Sequence, residues 1–244
     1  MAESNLVLVP GLLCDKDVYK PQLKALKGLA HIQVADHGEL DSLPAMAEAI
    51  LAKAPPTFAV VGHSMGGRVA LEVVRRAASR VTGLALLDTG YTPLAAGEAG
   101  AKETAGRHQL LELARSAGMR AVGERWLAIP MIHPARLKER TLVAAILRMI
   151  ERRTPDQFAA QIRALLQRPD AAALLPMISC PALVLCGQED GWAPLVNHRV
   201  MAQLIPHSTL VAVPDCGHMS TMERPEPVND ALRTWLARVA RMND

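Results

Sequence analysis

Apolar residues fall along this chain in two alternating rhythms. Short, nearly unbroken runs recur as NLVLV (5–9), HIQVA (31–35), FAVV (58–61), VTGLALL (81–87), PALVLC (181–186) and TLVAV (209–213). A strand with one wet face alternates polar and apolar residues, whereas an unbroken apolar run suits a strand covered on both faces, as in a parallel sheet. Between these runs lie segments with the 3.6-residue period of a helix, roughly over 18–28, 42–54, 65–78, 193–205 and 225–241. Strand then helix, repeated, predicts an α/β fold: a doubly wound, mostly parallel sheet of about six strands flanked by helices.

The alternation stops between about Thr92 and Ala173. Patterns such as HQLLELARSAG, ARLKERTLVAAILRMIERR and PDQFAAQIRALLQR are helical throughout, and Pro130, Pro134, Pro155 and Pro169 divide them into about four helices. The expected organisation is an α/β core over 1–93 and 174–244 with an all-helical cap inserted over 94–173.

Composition narrows the function classes. With 244 residues, half of them hydrophobic, the chain can bury a sizeable core. Aromatic residues make up only 3%, so the core and any pocket are expected to rest on aliphatic residues and the eleven Met, which disfavours a pocket built to stack flat rings. The 27 basic and 24 acidic residues are scattered, without the clustered basic face that nucleic-acid binding requires. The start, MAESNLVLVPGLL, is acidic where a secretion leader is basic, and Pro10 and Gly11 break its apolar run. No stretch reaches the roughly 18 uncharged apolar residues that span a bilayer, so a cytoplasmic protein without membrane association is expected. Cys14, Cys180, Cys186 and Cys216 form no C-x-x-C pair and no zinc spacing. They are expected to act as small apolar residues, and neither a metal nor a cofactor is called for.

Chemistry enters at VVGHSMGGRVALEVV (60–74), where Gly62, His63, Ser64, Met65 and Gly66 match G-x-S-x-G between a strand run and a helix pattern. In that motif the serine occupies a strained strand-to-helix turn that lifts its Oγ above the sheet edge. Met65 then opens a helix, where backbone N–H groups are unpaired and the dipole favours an anion. A serine is a weak nucleophile without a base, and the base needs a third group to orient it. Both are available: Asp190 follows the fifth strand run in PALVLCGQEDGWAP and His218 follows the last in TLVAVPDCGHMSTMERP. Loops after parallel strands open on one carboxyl edge, so residues this far apart in sequence can converge. Glu189 and Asp88 rival Asp190 as the acid, which the G-x-x-D loop favours. His63, beside the serine, and His108 and His133, in the cap, are weaker candidates than His218. Cys14 and Cys216 fall in loops at the same edge but on no elbow.

Together GHSMGG, LVLCGQED, CGHMSTMERPEPVNDALRTWL and the helical insertion resemble the α/β-hydrolase superfamily over essentially the whole chain, and its capped esterase and enol-lactonase-like branch. The resemblance implies an α/β-hydrolase fold and a triad of Ser64, His218 and Asp190. It also implies an oxyanion hole from the backbone N–H of Met65 and of a residue after the first strand. There LVPGLLCD has Pro10 where the family's His-Gly-x carries histidine, so the second donor is Leu12, with Leu13 as the alternative. No strand run precedes residue 5, so the two leading antiparallel strands common in the family are expected to be missing.

The expected activity is that of a serine hydrolase cleaving a carboxylic ester, lactone or thioester of a small to medium substrate. The alternatives are a C–C bond hydrolase or lyase acting on a carboxylate-bearing substrate, and a non-catalytic ligand-binding protein. Tyr91, Trp126, Arg148 and Trp192 are candidate substrate contacts. From Leu94 to Ala172 there are thirteen Lys or Arg against eight Asp or Glu, a net of +5 that leaves −2 for the remainder. A positive cap attracts an anionic small-molecule substrate, with Arg107, Arg115, Arg125 and Arg148 as the candidate partners.

Overall fold

The computed structural model describes residues 4–129 and 131–243. Its elements follow in the order β1 (Ser4–Val9), α1 (Lys20–Ala25), β2 (Ala30–Val34), α2 (Leu43–Lys53), β3 (Phe58–His63), α3 (Met65–Ala77) and β4 (Val81–Leu87). Four helices come next: α4 (Gly97–Ala117), α5 (Met119–Ala128), α6 (Arg140–Glu151) and α7 (Pro155–Leu166). The chain then returns through β5 (Ala182–Gly187), α8 (Leu195–Leu204), β6 (Ser208–Val213), α9 (Ser220–Glu223) and α10 (Pro225–Asn243).

Six strands form one sheet in the order β2-β1-β3-β4-β5-β6, every neighbouring pair parallel. The central strands β3 and β5 are buried at every residue, as their unbroken apolar runs require, whereas the edge strand β2 alternates between exposed and covered positions. One face of the sheet packs with Leu232, Trp235 and Val239 of α10. The other packs with Met46 of α2, Val69 and Val73 of α3 and Met201 of α8.

Two boundaries differ from the periodicity. The segment over 18–28 is a 3-10 turn, Lys16–Tyr19, followed by the short α1, which stops at Leu26 ahead of Gly28 in the left-handed region at φ 79°. The helix expected from 193 starts at Leu195, after Pro194. In the inserted region Pro155 occupies the first turn of α7, which opens with a reciprocal Thr154–Gln157 capping box. Pro134 begins a 3-10 turn, and Pro130 lies outside the described residues. Among the described residues no helix is long and apolar enough to cross a membrane.

The strand order places a crevice. The chain winds outward from β1 to β2, then returns to the far side of β1 as β3 and continues in the opposite direction. At such a reversal the loops leaving the two strands diverge to opposite faces and leave a cleft at their carboxyl ends. Those two loops carry Gly11–Asp15 and Ser64.

Candidate active site

Ser64 stands between the last residue of β3 and the first of α3 with φ 55° and ψ −120°, outside the regions open to most L-residues. The turn is held from both sides: the Ser64 N–H donates to the Leu87 carbonyl at 2.9 Å, and the Ser64 carbonyl accepts the Thr89 hydroxyl at 2.6 Å. Its glycines are required by space. A Cβ on Gly62 would collide with the Gly66 carbonyl, and one on Gly66 with the carbonyl oxygens of Val9 and Pro10. The seam therefore brings α3 against the end of β1 backbone to backbone.

Three side chains meet above it. His218 Nε2 lies 2.8 Å from Ser64 Oγ, and His218 Nδ1 lies 2.8 Å from Asp190 Oδ2. The other Asp190 oxygen accepts the N–H groups of Trp192 and Ala193, each at 2.8 Å, which fixes the carboxylate. The His218 backbone N–H donates to the Met131 carbonyl at 2.8 Å, and Glu223 accepts the N–H groups of Gly217 and Met219 around it. Burial disfavours charge on both members of the buried pair, but each outweighs it for the other. Asp190 is held below the usual carboxylate range by His218 and its two N–H donors, and His218 is raised above the ordinary histidine value by Asp190.

The rival acids have other partners. Asp88 is fully buried and accepts the Gly187 N–H at 3.0 Å and the Ser220 hydroxyl, bridging the end of β5 to α9; burial and then Asp190 push its pKa well up. Glu189 is exposed and accepts the Cys216 N–H. His63 points away from Ser64: its Nε2–H donates to the His218 carbonyl at 2.8 Å, and burial, with His218 beside it, lowers its pKa to about 4. His108 is exposed, and the His133 ring caps its own turn at the Ala135 N–H.

Asp88, Cys186 and Asp190 bring three possible metal-ligating atoms within 4.8 Å of one another. Their oxygens are already engaged as described, and the Cys186 thiol, its pKa raised by burial, donates to the Gly187 carbonyl. This makes the group a hydrogen-bonded knot. Cys14 is likewise buried and pushed up to about 12 by burial and then Asp15, far from a reactive thiolate.

At the expected oxyanion position, Met65 begins α3, so its N–H belongs to the first helical turn, where no intrahelical acceptor exists. Leu12 lines the same cavity as Ser64 and Met65. The N–H of Leu13 is already donated to Gln161 Oε1 at 2.9 Å, in a buried bond.

The cavity over Ser64 has a volume of about 610 Å³ and lies between the carboxyl edge of the sheet and the inserted helices. Trp126 and Trp192 line it, with ring centroids 5.4 Å apart, and Trp192 stands 5.1 Å from the His218 ring. Phe158, which the helix periodicity marked only as apolar, meets Trp126 edge-on at 5.9 Å. The expectation of an aliphatic pocket is thus corrected: three of the seven aromatic residues gather here, because tertiary packing concentrates what composition averages. Tyr91 does not line the cavity; it packs against the core beneath α3, and its carbonyl accepts the Ala171 N–H. Arg148 is exposed and borders a different groove, with Asp17 and Glu226.

Of the other basic residues expected there, Arg107 and Arg125 line the cavity, while Arg115 is exposed and paired with Glu112. The periodicity gave no sign of Arg68 or Arg168. Arg68, one helical turn beyond Ser64, lines the cavity and donates to the Thr92 carbonyl at 2.7 Å. Arg168 donates to both oxygens of Glu103 at 2.7 and 2.8 Å, and Glu103 accepts Arg107 Nε at 2.9 Å. The Glu103–Arg107 spacing of four was a local signal for that pair; the approach of Arg168, from beyond α7, had none.

The chain matches a family model described as the alpha/beta hydrolase family over residues 6–231. It is 28% identical over 238 residues to a pimeloyl-[acyl-carrier protein] methyl ester esterase from Nitrosomonas europaea, with 91% of each chain covered. Among solved structures it resembles a thermophilic esterase from Thermogutta terrifontis, with a TM-score of 0.85 and 29% identity over 98% of this chain and 91% of that one. It also shares the fold of the enol-lactonase from Burkholderia xenovorans LB400, with a TM-score of 0.83 and 22% identity over 97% and 92% of the two chains.

Proposed function

This chain belongs to the alpha/beta hydrolase family, and we propose that it is a serine hydrolase that cleaves a carboxylic ester, lactone or thioester of a small to medium substrate through an acyl-enzyme. The observation that carries the reading is the continuous hydrogen-bonded line from Ser64 Oγ through His218 to Asp190 at the floor of the cavity. In the proposed reaction His218 Nε2 takes the Ser64 proton as Oγ attacks the carbonyl carbon. Asp190 holds Nδ1–H and stabilises the imidazolium. The backbone N–H groups of Met65 and Leu12 receive the oxyanion, where fixed donors act without reorganising. His218 then protonates the leaving group and afterwards activates water, which releases the acid.

We infer that the segment 94–173 serves as the cap of this site, since residues of α4 to α7 line the cavity with Ser64. The finer reading is an anionic substrate. Arg68, Arg107 and Arg168 surround the single carboxylate of Glu103, leaving a net positive charge beside the cavity. Burial, and then the neighbouring Arg168, lower Arg68 to about 10. A substrate carboxylate would relieve that excess while its apolar portion contacts residues such as Leu110, Ile146 and Phe158.

Hydrolysis of p-nitrophenyl esters from acetate to decanoate tests the reaction. Wild type is expected to turn over with an optimum set by the cavity, and Ser64→Ala to lose about a million-fold in kcat while remaining folded. Equal activity in the two proteins would remove Ser64 from the reaction.

A further inference from the structure

The two peptides that flank the Cα of Ser64 are both held by the chain leaving β4. The peptide before it carries the Ser64 N–H, which donates to the carbonyl of Leu87, the last residue of β4, at 2.9 Å. The peptide after it carries the Ser64 carbonyl together with the Met65 N–H. That carbonyl accepts the hydroxyl of Thr89, two residues beyond β4, at 2.6 Å, and the Gly67 N–H of α3's own first turn at 3.0 Å. Thr89, 2% exposed, is itself fixed. Its N–H donates to Nε2 of the buried His198 at 3.0 Å, and His198 Nδ1 faces the Pro194 carbonyl at 3.3 Å. Burial lowers the pKa of His198, which keeps Nε2 without a proton and able to accept. A Cβ on Gly67 would come within 2.7 Å of three Thr89 side-chain atoms, so α3 lies directly against that side chain.

In a trans peptide the N–H and the C=O share one plane and point in opposite directions. Rotation about the Cα–C bond of Ser64 therefore turns the Ser64 carbonyl and the Met65 N–H together, and whatever holds the carbonyl holds the N–H. The backbone has reason to rotate there, because φ 55° with ψ −120° lies outside the regions open to most L-residues. The helical bond from Gly67 opposes that relaxation from within α3, and the shorter bond from Thr89 opposes it from the neighbouring strand. A hydrogen bond at the carbonyl also polarises the peptide, which strengthens its N–H as a donor.

We propose that Thr89 is a positioning residue: its hydroxyl, bonded to the Ser64 carbonyl, fixes the peptide that presents the Met65 N–H to the oxyanion. The geometry of the oxyanion hole then depends on a side chain that lies outside the G-x-S-x-G turn, on the loop after β4. The inference rests on the ester-hydrolase reading above.

The test compares wild type with Thr89→Ser, Thr89→Ala and Thr89→Val, measuring kcat and KM for p-nitrophenyl butyrate and inhibition by a matching trifluoromethyl ketone. A whole oxyanion donor is worth roughly a hundred- to thousand-fold in kcat. Loosening one is expected to cost Thr89→Ala and Thr89→Val about 10- to 100-fold in kcat, with KM within about threefold. Affinity for the ketone, whose adduct carries the oxyanion, should fall by a similar factor. Thr89→Ser keeps the hydroxyl and should stay within about threefold of wild type. Thermal melts establish that each variant is folded, and Thr89→Val, which keeps the volume, carries the comparison if Thr89→Ala does not fold. Wild-type kcat in the variants without a hydroxyl would overturn the proposal. So would an equal loss in Thr89→Ser, since the effect would then follow packing, or a loss of kcat with undiminished affinity for the ketone. A wild type that neither hydrolyses esters nor reacts with a fluorophosphonate would overturn the hydrolase reading itself, and this inference with it.

Discussion

At the residue scale, the proposed reaction places opposite demands on neighbouring groups. In it His218 must be neutral to accept a proton from Ser64, yet Asp190, 2.8 Å from its Nδ1, stabilises the charged form and raises its pKa above the ordinary histidine value. Protonation of His218 removes the base, so activity falls as pH drops through that raised value. The acid limb of kcat/KM is therefore expected at higher pH than an unperturbed histidine would give. Asp190→Asn should move the limb to lower pH and cost about four orders of magnitude in kcat, as loss of the acid does in other triads. A pH profile of ester hydrolysis for both proteins checks the sign. His63 shows the contrasting case: one residue before the serine, it is buried and lowered to about 4, so it stays neutral at neutral pH and serves as a strut beneath His218. The motif named the position of His63 but not its direction, which depends on a carbonyl 155 residues away.

At the element scale, the seam between β3 and α3 explains why the serine is flanked by glycines. Gly66 meets the carbonyl oxygens of Val9 and Pro10 with no room for a Cβ, and these are backbone atoms of β1 and its loop that cannot turn aside as a side chain would. Gly66→Ala should therefore destabilise the protein by about 3 kcal/mol, the upper part of the usual range for overpacking, and impair activity by shifting α3 from the oxyanion turn. Urea unfolding reads the first effect as a lower midpoint at unchanged slope. The elements themselves were legible in the sequence because their signals are local. Short, mostly apolar runs marked all six strands, and helical periodicity with interrupting prolines marked four helices in the insertion. Their ends were less legible, as at α1, where Pro21 and Gly28 cut a longer periodic segment to six residues.

At the scale of the whole molecule, the cavity exists only because the insertion returns to the carboxyl edge of the sheet. There it brings Trp126 and Phe158 beside Trp192, and Glu103 and Arg107 beside Arg68. If the positive cluster recognises a carboxylate, Arg107→Ala should raise KM for a p-nitrophenyl hemi-ester of a dicarboxylic acid about tenfold or more, as expected for loss of a charged hydrogen bond. KM for a neutral ester of equal length should stay within about twofold. A uniform rise for both esters would assign Arg107 to packing. By itself the sequence determined the α/β class, the order of the elements and the placing of Ser64, Asp190 and His218 after strand runs. Those properties follow from periodicity and turn chemistry within a few residues. Only the tertiary structure decided the strand order, the meeting of those three side chains, the commitment of the Leu13 N–H to Gln161 and the choice of Arg68 and Arg107 over Arg148 at the cavity. Periodicity tells each residue whether it faces inward, but which partner it finds there is set by how distant segments pack against one another.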